Sequence, residues 1–238
     1  MKKIQFFCTY PGVYETWPIL QASKSLPNWV RTARDDYVKS KNTKKSHIYR
    51  CPGIADIYKQ GFVVHSWHDI TVTADKQNMN VELPSDELPK PPFSLDIHRA
   101  DGVAKHIPKR HYSCDSVLKI NTPWHVISPV KLLVIPFPYA DQSDFEACSG
   151  ILDPSISTEV NIQVYWNRPG QQTLIKAGTP LCLMIPLTED ECSLEIREAT
   201  DFDQKWLKKK HYLNNMGYVK AWNKMKSLYE KVWNYKIK

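Results

Sequence analysis

Residues 118–186 limit the fold more than any other part of this chain. Six short apolar or alternating runs fall there, at 118–120, 124–127, 132–137, 161–166, 173–175 and 181–185. Pro, Gly, Asn and Asp separate them, and Asn167-Arg168-Pro169-Gly170 and Ala177-Gly178-Thr179-Pro180 are strong turn signals. Strand-sized runs recurring every ~8–12 residues predict an all-β barrel or sandwich core.

The flanking segments are expected to wrap that core. Residues 4–10 predict a first strand. The apolar run Ile4 to Cys8 is too short for the ~7–15 residues of a secretory h-region. Leu26-Pro27-Asn28-Trp29 predicts a helix over 28–36 with Pro27 near its start. Residues 39–45 are polar and basic and predict an exposed loop. Pro52 opens a helix over 53–59 that Gly61 ends. Residues 62–74 alternate at period two and predict one strand, followed by a turn at 77–80 and a strand at 81–83. Four prolines between Leu83 and Pro92 predict an extended connector, since proline cannot join a sheet interior, and 93–97 is strand-like.

Thr200 with Asp203 forms a capping-box pattern for a helix over 201–212. From Tyr218, apolar residues recur at 218, 222, 225, 229 and 232, alternating steps of four and three, which predicts a second, amphipathic helix. The chain therefore divides into a β-rich core over 1–199 and a basic helical tail over 200–238. The tail holds ten lysines against Asp201, Asp203 and Glu230, which accounts for the whole net charge of +7. A neutral body argues against the fold as a whole being a nucleic-acid platform. It leaves the tail as the partner-binding candidate, through Trp222, Tyr229 and Trp233 with Lys224 and Lys231. Those residues would meet a host protein, another copy of the chain or nucleic acid, or pack on the protein's own core.

No run approaches the ~18 apolar residues of a membrane span. Six scattered cysteines, with no pair at Cys-x-x-Cys spacing, predict reduced cytosolic thiols with structural roles. Gly-x-Ser-x-Gly and glycine-rich phosphate loops do not occur in the sequence. The metal candidates are His65, Asp69, His98 and His111, with His106 and Cys114 nearby in sequence. Two histidines and a carboxylate are the ligand set of an iron(II) oxygenase. On a strand, however, His65 and His68 point to opposite faces.

Gly150-Ile151-Leu152-Asp153, the strand after it, and Gly178-Thr179-Pro180-Leu181 before an apolar strand resemble part of the dUTPase-type β-clip barrel. In that family the aspartate of the first turn helps select the sugar and position the attacking water, which makes Asp153 the catalytic candidate. The resemblance spans residues 145–187 and implies a fold more than a reaction. Thr179-Pro180 stands where the family has Asp-Arg, and Leu183 where it has glutamine. Arg-Ser-rich phosphate donors and a glycine-rich C-terminal arm are missing from the sequence, and phosphate is not held without such donors.

A wider resemblance rests on Ala22…Leu26-Pro27-x-Trp29, Arg50-Cys51-Pro52-Gly53-Ile54 with Gly61-Phe62, and Lys119-Ile120-Asn121-Thr122-Pro123-Trp124 with Ser128-Pro129. These patterns resemble a family of uncharacterised proteins met in T4-like cyanophages and some bacteria. That resemblance implies a phage accessory protein acting in the cytoplasm of a bacterial host, and it carries no known activity or cofactor. The expectation is therefore a mainly β (α+β), β-clip/dUTPase-like barrel with a short N-terminal helix and C-terminal helices. It would act by binding or assembly rather than catalysis, as a homo-oligomer (a trimer by analogy) or on a host protein, with no cofactor. Two alternatives stand beside it. A nucleotide-binding or degenerate nucleotide-hydrolysing enzyme would use Mg2+, and a metal-dependent oxygenase built on the His/Asp cluster would use Fe2+.

Overall fold

A computed structural model of the chain describes residues 1–10, 12–40, 47–83 and 95–214. With 39% strand and 21% helix the protein is mainly β with appended helices. Among these residues the strands form three sheets. The largest runs β14 (Cys192–Glu198), β1 (Lys2–Cys8), β7 (Val117–Ile127), β11 (Glu159–Trp166), β9 (Phe145–Ala147), and β6 (Leu95–His98) also pairs with β7. The second runs β10 (Gly150–Leu152), β8 (Leu132–Ile135), β13 (Pro180–Pro186), β3 (Phe62–His65), β2 (Leu20–Gln21). The third joins β12 (Gln172–Ile175), β4 (Ile70–Ala74) and β5 (Met79–Glu82). Among the described residues these sheets do not close into a barrel.

Side-chain alternation explains the layering. On β3, Phe62 and Val64 point into the main core, where they meet Phe6, Ile120, Trp124, Ile162 and Met184. Val63, between them, points the other way, into a second core with Leu183 and Phe137. A one-turn helix, α1 (Val13–Thr16), follows β1, and the second core is roofed by two longer helices, α2 (Asn28–Lys39) and α3 (Pro52–Gln60), through Val30, Trp29, Ile57 and Tyr58. The second sheet is thus buried on both faces, the first mainly on one. Pro52 opens α3 as expected. Gly61 follows the helix with φ −99°, an ordinary value, so its glycine is explained by packing: a Cβ there would run into the Leu183 side chain.

Three expectations need correction. Residues 62–74 are two strands in different sheets, broken at 66–69, where Ser66 N–H donates to Thr179 O (2.8 Å) and Gly178 N–H to Ser66 O (2.7 Å). The alternation in sequence runs through the break although β3 is buried on both faces and β4 on one, so period alone could not reveal it. Conversely, 117–127 is one strand despite Pro123. The proline sits where the β11 register shifts between Glu159 and Asn161, and the Thr122 hydroxyl donates to Val160 O (2.7 Å) beside the gap. The region before the tail, read without a strand, contains β14, which lies parallel to β1.

The capping box forms as expected at the start of α4 (Asp201–Asn214). Thr200 N–H and hydroxyl donate to Asp203 Oδ2 (2.8 and 2.6 Å), and Asp203 N–H donates back to Thr200 Oγ1 (3.3 Å). Arg197 on β14 forks onto the same carboxylate at 2.5 and 3.1 Å, so core and helix are joined. The loop expected beyond Lys39, most of the proline-rich connector and the second tail helix lie outside the described residues. So do Trp222, Lys224, Tyr229, Lys231 and Trp233.

Candidate functional site

Asp153 is the residue singled out by its turn, and that turn uses up its carboxylate. Oδ1 accepts from the Ser155 N–H (3.0 Å) and hydroxyl (2.6 Å), while Oδ2 pairs with Lys131 Nζ at 3.1 Å. The Asp153 carbonyl accepts from Ile156 N–H (2.9 Å) and Ser157 N–H (3.0 Å). Burial alone would raise this carboxyl; the Ser155 and Lys131 bonds outweigh it and hold the group below the usual carboxylate range. The result is a self-capped turn between β10 and β11.

The histidine candidates are spread over the fold. His65 ends β3, and its Nε2 lies 2.8 Å from Ser25 Oγ. Burial pushes its pKa down to about 4, against a smaller opposing effect of a bond to Pro18. Asp69 lies in the break after β3, and its Oδ1 accepts the Ala177 N–H at 2.7 Å. His98 ends β6, and His111 sits in the loop before β7 with its ring edge-on to Tyr112. Among the described residues no three His, Cys, Asp or Glu side chains gather as a metal site. Burial pushes the Cys8 and Cys148 thiols up to about 11 and also raises Cys114, Cys182 and Cys192, which keeps them protonated at neutral pH.

A different part of the molecule is shaped as a site. A cleft of about 500 Å³ opens where β9 and the end of β11 meet the 136–144 loop that follows β8. Its floor is apolar, from Phe137, Phe145, Ala147 and Leu181, and Phe145 lies parallel to the buried Trp166 ring (6.4 Å, 5°). Its rim is polar and ordered by pairs. Arg168 Nε meets Asp144 at 2.9 Å, and Arg110 grips Glu146 through two bonds of 3.0 Å. Asn167 accepts from the Ser113 hydroxyl (2.6 Å), and the Gln142 amide oxygen accepts from the N–H groups of Asp144 (2.8 Å) and Phe145 (3.2 Å). The partly exposed Tyr112 ring stands beside them.

The loop that supplies Pro136, Phe137, Ala140, Gln142 and Ser143 to this cleft also holds a non-glycine residue at positive φ, Tyr139 (φ 51°), which does not itself line the cleft. Left-handed backbone costs an L-residue roughly 1–2 kcal/mol. The helical layer imposes it from outside. Trp29 Nε1 donates to Tyr139 O (3.0 Å), and the Tyr58 hydroxyl donates to Pro138 O (2.6 Å). Asp141 in turn accepts the Asn28 N–H at the start of α2 (2.9 Å), satisfying an N–H that the helix leaves open. Burial, with Tyr139 and Asp141 nearby, pushes the Tyr58 hydroxyl up to about 12, so it remains a donor.

Sequence reasoning ended its strand at 137 and passed over this loop. Its only signal was Pro136-Phe137-Pro138-Tyr139, a proline pair around aromatics where a tight hairpin would carry Asn or Gly. No protein-family model matches the chain, and neither does any curated protein.

Proposed function

We propose that this protein works by binding, and that its ligand is a small polar molecule with one apolar face, seated in the cleft walled by residues 136–144. One observation carries the reading: three separate bonds between the helical layer and the loop hold Tyr139 in a costly conformation, and so fix the course of the loop whose Phe137 and Ala140 line the cleft. Strain maintained by outside contacts is a mark of sites whose shape is needed. The volume lies within the ~300–1,000 Å³ of small-molecule sites, and paired charges around an apolar floor suit an oriented polar ligand. The scaffold reading is a β-clip-like derivative in which the Gly150–Asp153 turn survives as structure. The biological setting that goes with it is a phage accessory protein in the cytoplasm of a bacterial host, assembled as a homo-oligomer.

Thermal shift of the full chain against nucleosides, nucleotides with Mg2+, amino acids and small carboxylates tests this. A ligand at a hundredfold excess over Kd adds about 2.7 kcal/mol, or about 5–10 °C in a domain of this size. The expected hit loses its shift in Arg168→Ala and keeps it in Asp153→Asn. The opposite pattern would move the site to the hydrolase-type turn, and a panel without any shift would remove the ligand class. Light scattering of the same sample checks the oligomer.

A further inference from the structure

We propose that the cleft beside the 136–144 loop recognises its ligand by an oxyanion, a carboxylate or phosphate group on an apolar body, held by the open edge of the Arg168 guanidinium. This rests on the binding reading above and specifies the chemistry of the ligand.

The polar atoms of the lining divide into satisfied acceptors and open donors. The Gln142 amide oxygen already accepts the N–H groups of Asp144 and Phe145. Asn167 Oδ1 takes the Ser113 hydroxyl. Glu146 is the one carboxylate among the described lining residues, and Arg110 holds both of its oxygens at 3.0 Å. Arg168 is the one cation there, and it donates only through Nε, to Asp144 Oδ1 at 2.9 Å. A guanidinium carries five N–H donors, so the four on its two Nη atoms are left. Among the described residues neither Nη makes a hydrogen bond, and neither do the hydroxyls of Tyr112 and Ser143.

Formal charge does not choose the ligand, because Arg110 and Arg168 balance Asp144 and Glu146. Directional bonding capacity does. A ligand cation would find both Glu146 oxygens held by a bidentate partner, the strong form of this pair. A ligand oxyanion would find a planar fork that offers two parallel N–H bonds at once. Asp144 does not line the cleft and is a positioning residue. Its bond to Nε fixes the guanidinium plane and leaves the Nη edge uncommitted. The floor of Phe137, Phe145, Ala147 and Leu181 then covers the apolar body.

Titration calorimetry of the full chain with four ring compounds that differ in their head group tests the proposal: phenylacetate, phenyl phosphate, benzyl alcohol and benzylamine. At least one of the two oxyanions should bind about tenfold or more tightly than the alcohol, with the amine weakest. Which oxyanion leads decides between carboxylate and phosphate. Arg168→Lys keeps the charge and loses the fork, so it should weaken the oxyanion about tenfold and leave the alcohol unchanged. Arg110→Gln, outside the lining, should release the Glu146 carboxylate and narrow the gap between oxyanion and amine, a change that general loosening of the fold would not produce. Melting temperatures near that of the parent report that both variants fold, since both altered side chains are half-exposed. Equal affinity for alcohol and oxyanions would overturn the oxyanion assignment and leave the cleft reading in place. Equal weakening of all four compounds by Arg168→Lys would do the same. Binding of none of the four would overturn both.

Discussion

The two ends of β8 carry opposite kinds of turn. Before it, Lys131 reaches Asp153, whose turn closes on itself through Ser155, Ile156 and Ser157. After it, the 136–144 loop is held mainly by residues from other elements, and its Tyr139 takes a backbone conformation that the loop would not choose alone. The first turn is singled out by its sequence and has the contacts of a scaffold. The second has no motif and the contacts of a shaped site. Where a polar group sends its hydrogen bonds is the better guide to its role than the pattern around it.

Breaking the outer clamp should have the largest effect. Tyr58→Ala empties a fully buried site against Phe137 and removes the Pro138 bond, so a loss of about 3–5 kcal/mol is expected in urea unfolding. Acid should loosen the same layer through His65, which pins the Ser25 turn ahead of α2. Its folded pKa of about 4 lies below the ordinary 6.5, so the unfolded state takes the proton first. This contribution is complete above pH 6.5 and is lost as pH falls toward 4. At pH 4.5 the loss should be about 2–3 kcal/mol relative to pH 7.5, with His65→Gln flattening that slope.

Smaller changes separate strain from packing. Tyr139→Val should cost about 2 kcal/mol, because a β-branched side chain resists positive φ. Tyr139→Gly should stay within about 1 kcal/mol of the parent, since relief of strain offsets the lost edge contact with Trp29 (5.7 Å). Equal losses in both would mean that the aromatic contact, not the backbone, matters there. Smallest of all, Asp153→Asn should cost about 1 kcal/mol or less, as the amide oxygen can still accept from Ser155 while the pair with the exposed Lys131 goes. A loss of several kcal/mol would make this turn the more demanding of the two.

Much of the scaffold was legible because its signals are local. Pro27 and Pro52 mark the starts of two helices, and the Thr200–Asp203 box caps a third. The strands 132–137, 161–166, 173–175 and 181–185 lie within a few residues of β8, β11, β12 and β13. What stayed hidden depends on distant partners. β9 and β10 have three residues each, and β14 alternates Ser193, Glu195 and Arg197 with Leu194 and Ile196 between acidic flanks. Their strand character comes from neighbours supplied by other parts of the chain. The cleft was hidden for the same reason, since Trp29, Tyr58 and Tyr139 are far apart in sequence.

The parallel pairing of β1 with β14 sets the order of events during synthesis. Lys2 aligns with Cys192 and Cys8 with Glu198, so β1, once made, waits for β14. At about 5–20 residues per second, the interval is roughly 10–40 s. Throughout it Phe6 and Phe7 have been made without one of their neighbours. Contacts of such long sequence separation form slowly. The nascent chain is therefore a natural client for hydrophobic-binding chaperones, and a product ending before Cys192 would leave one edge of β1 unpaired.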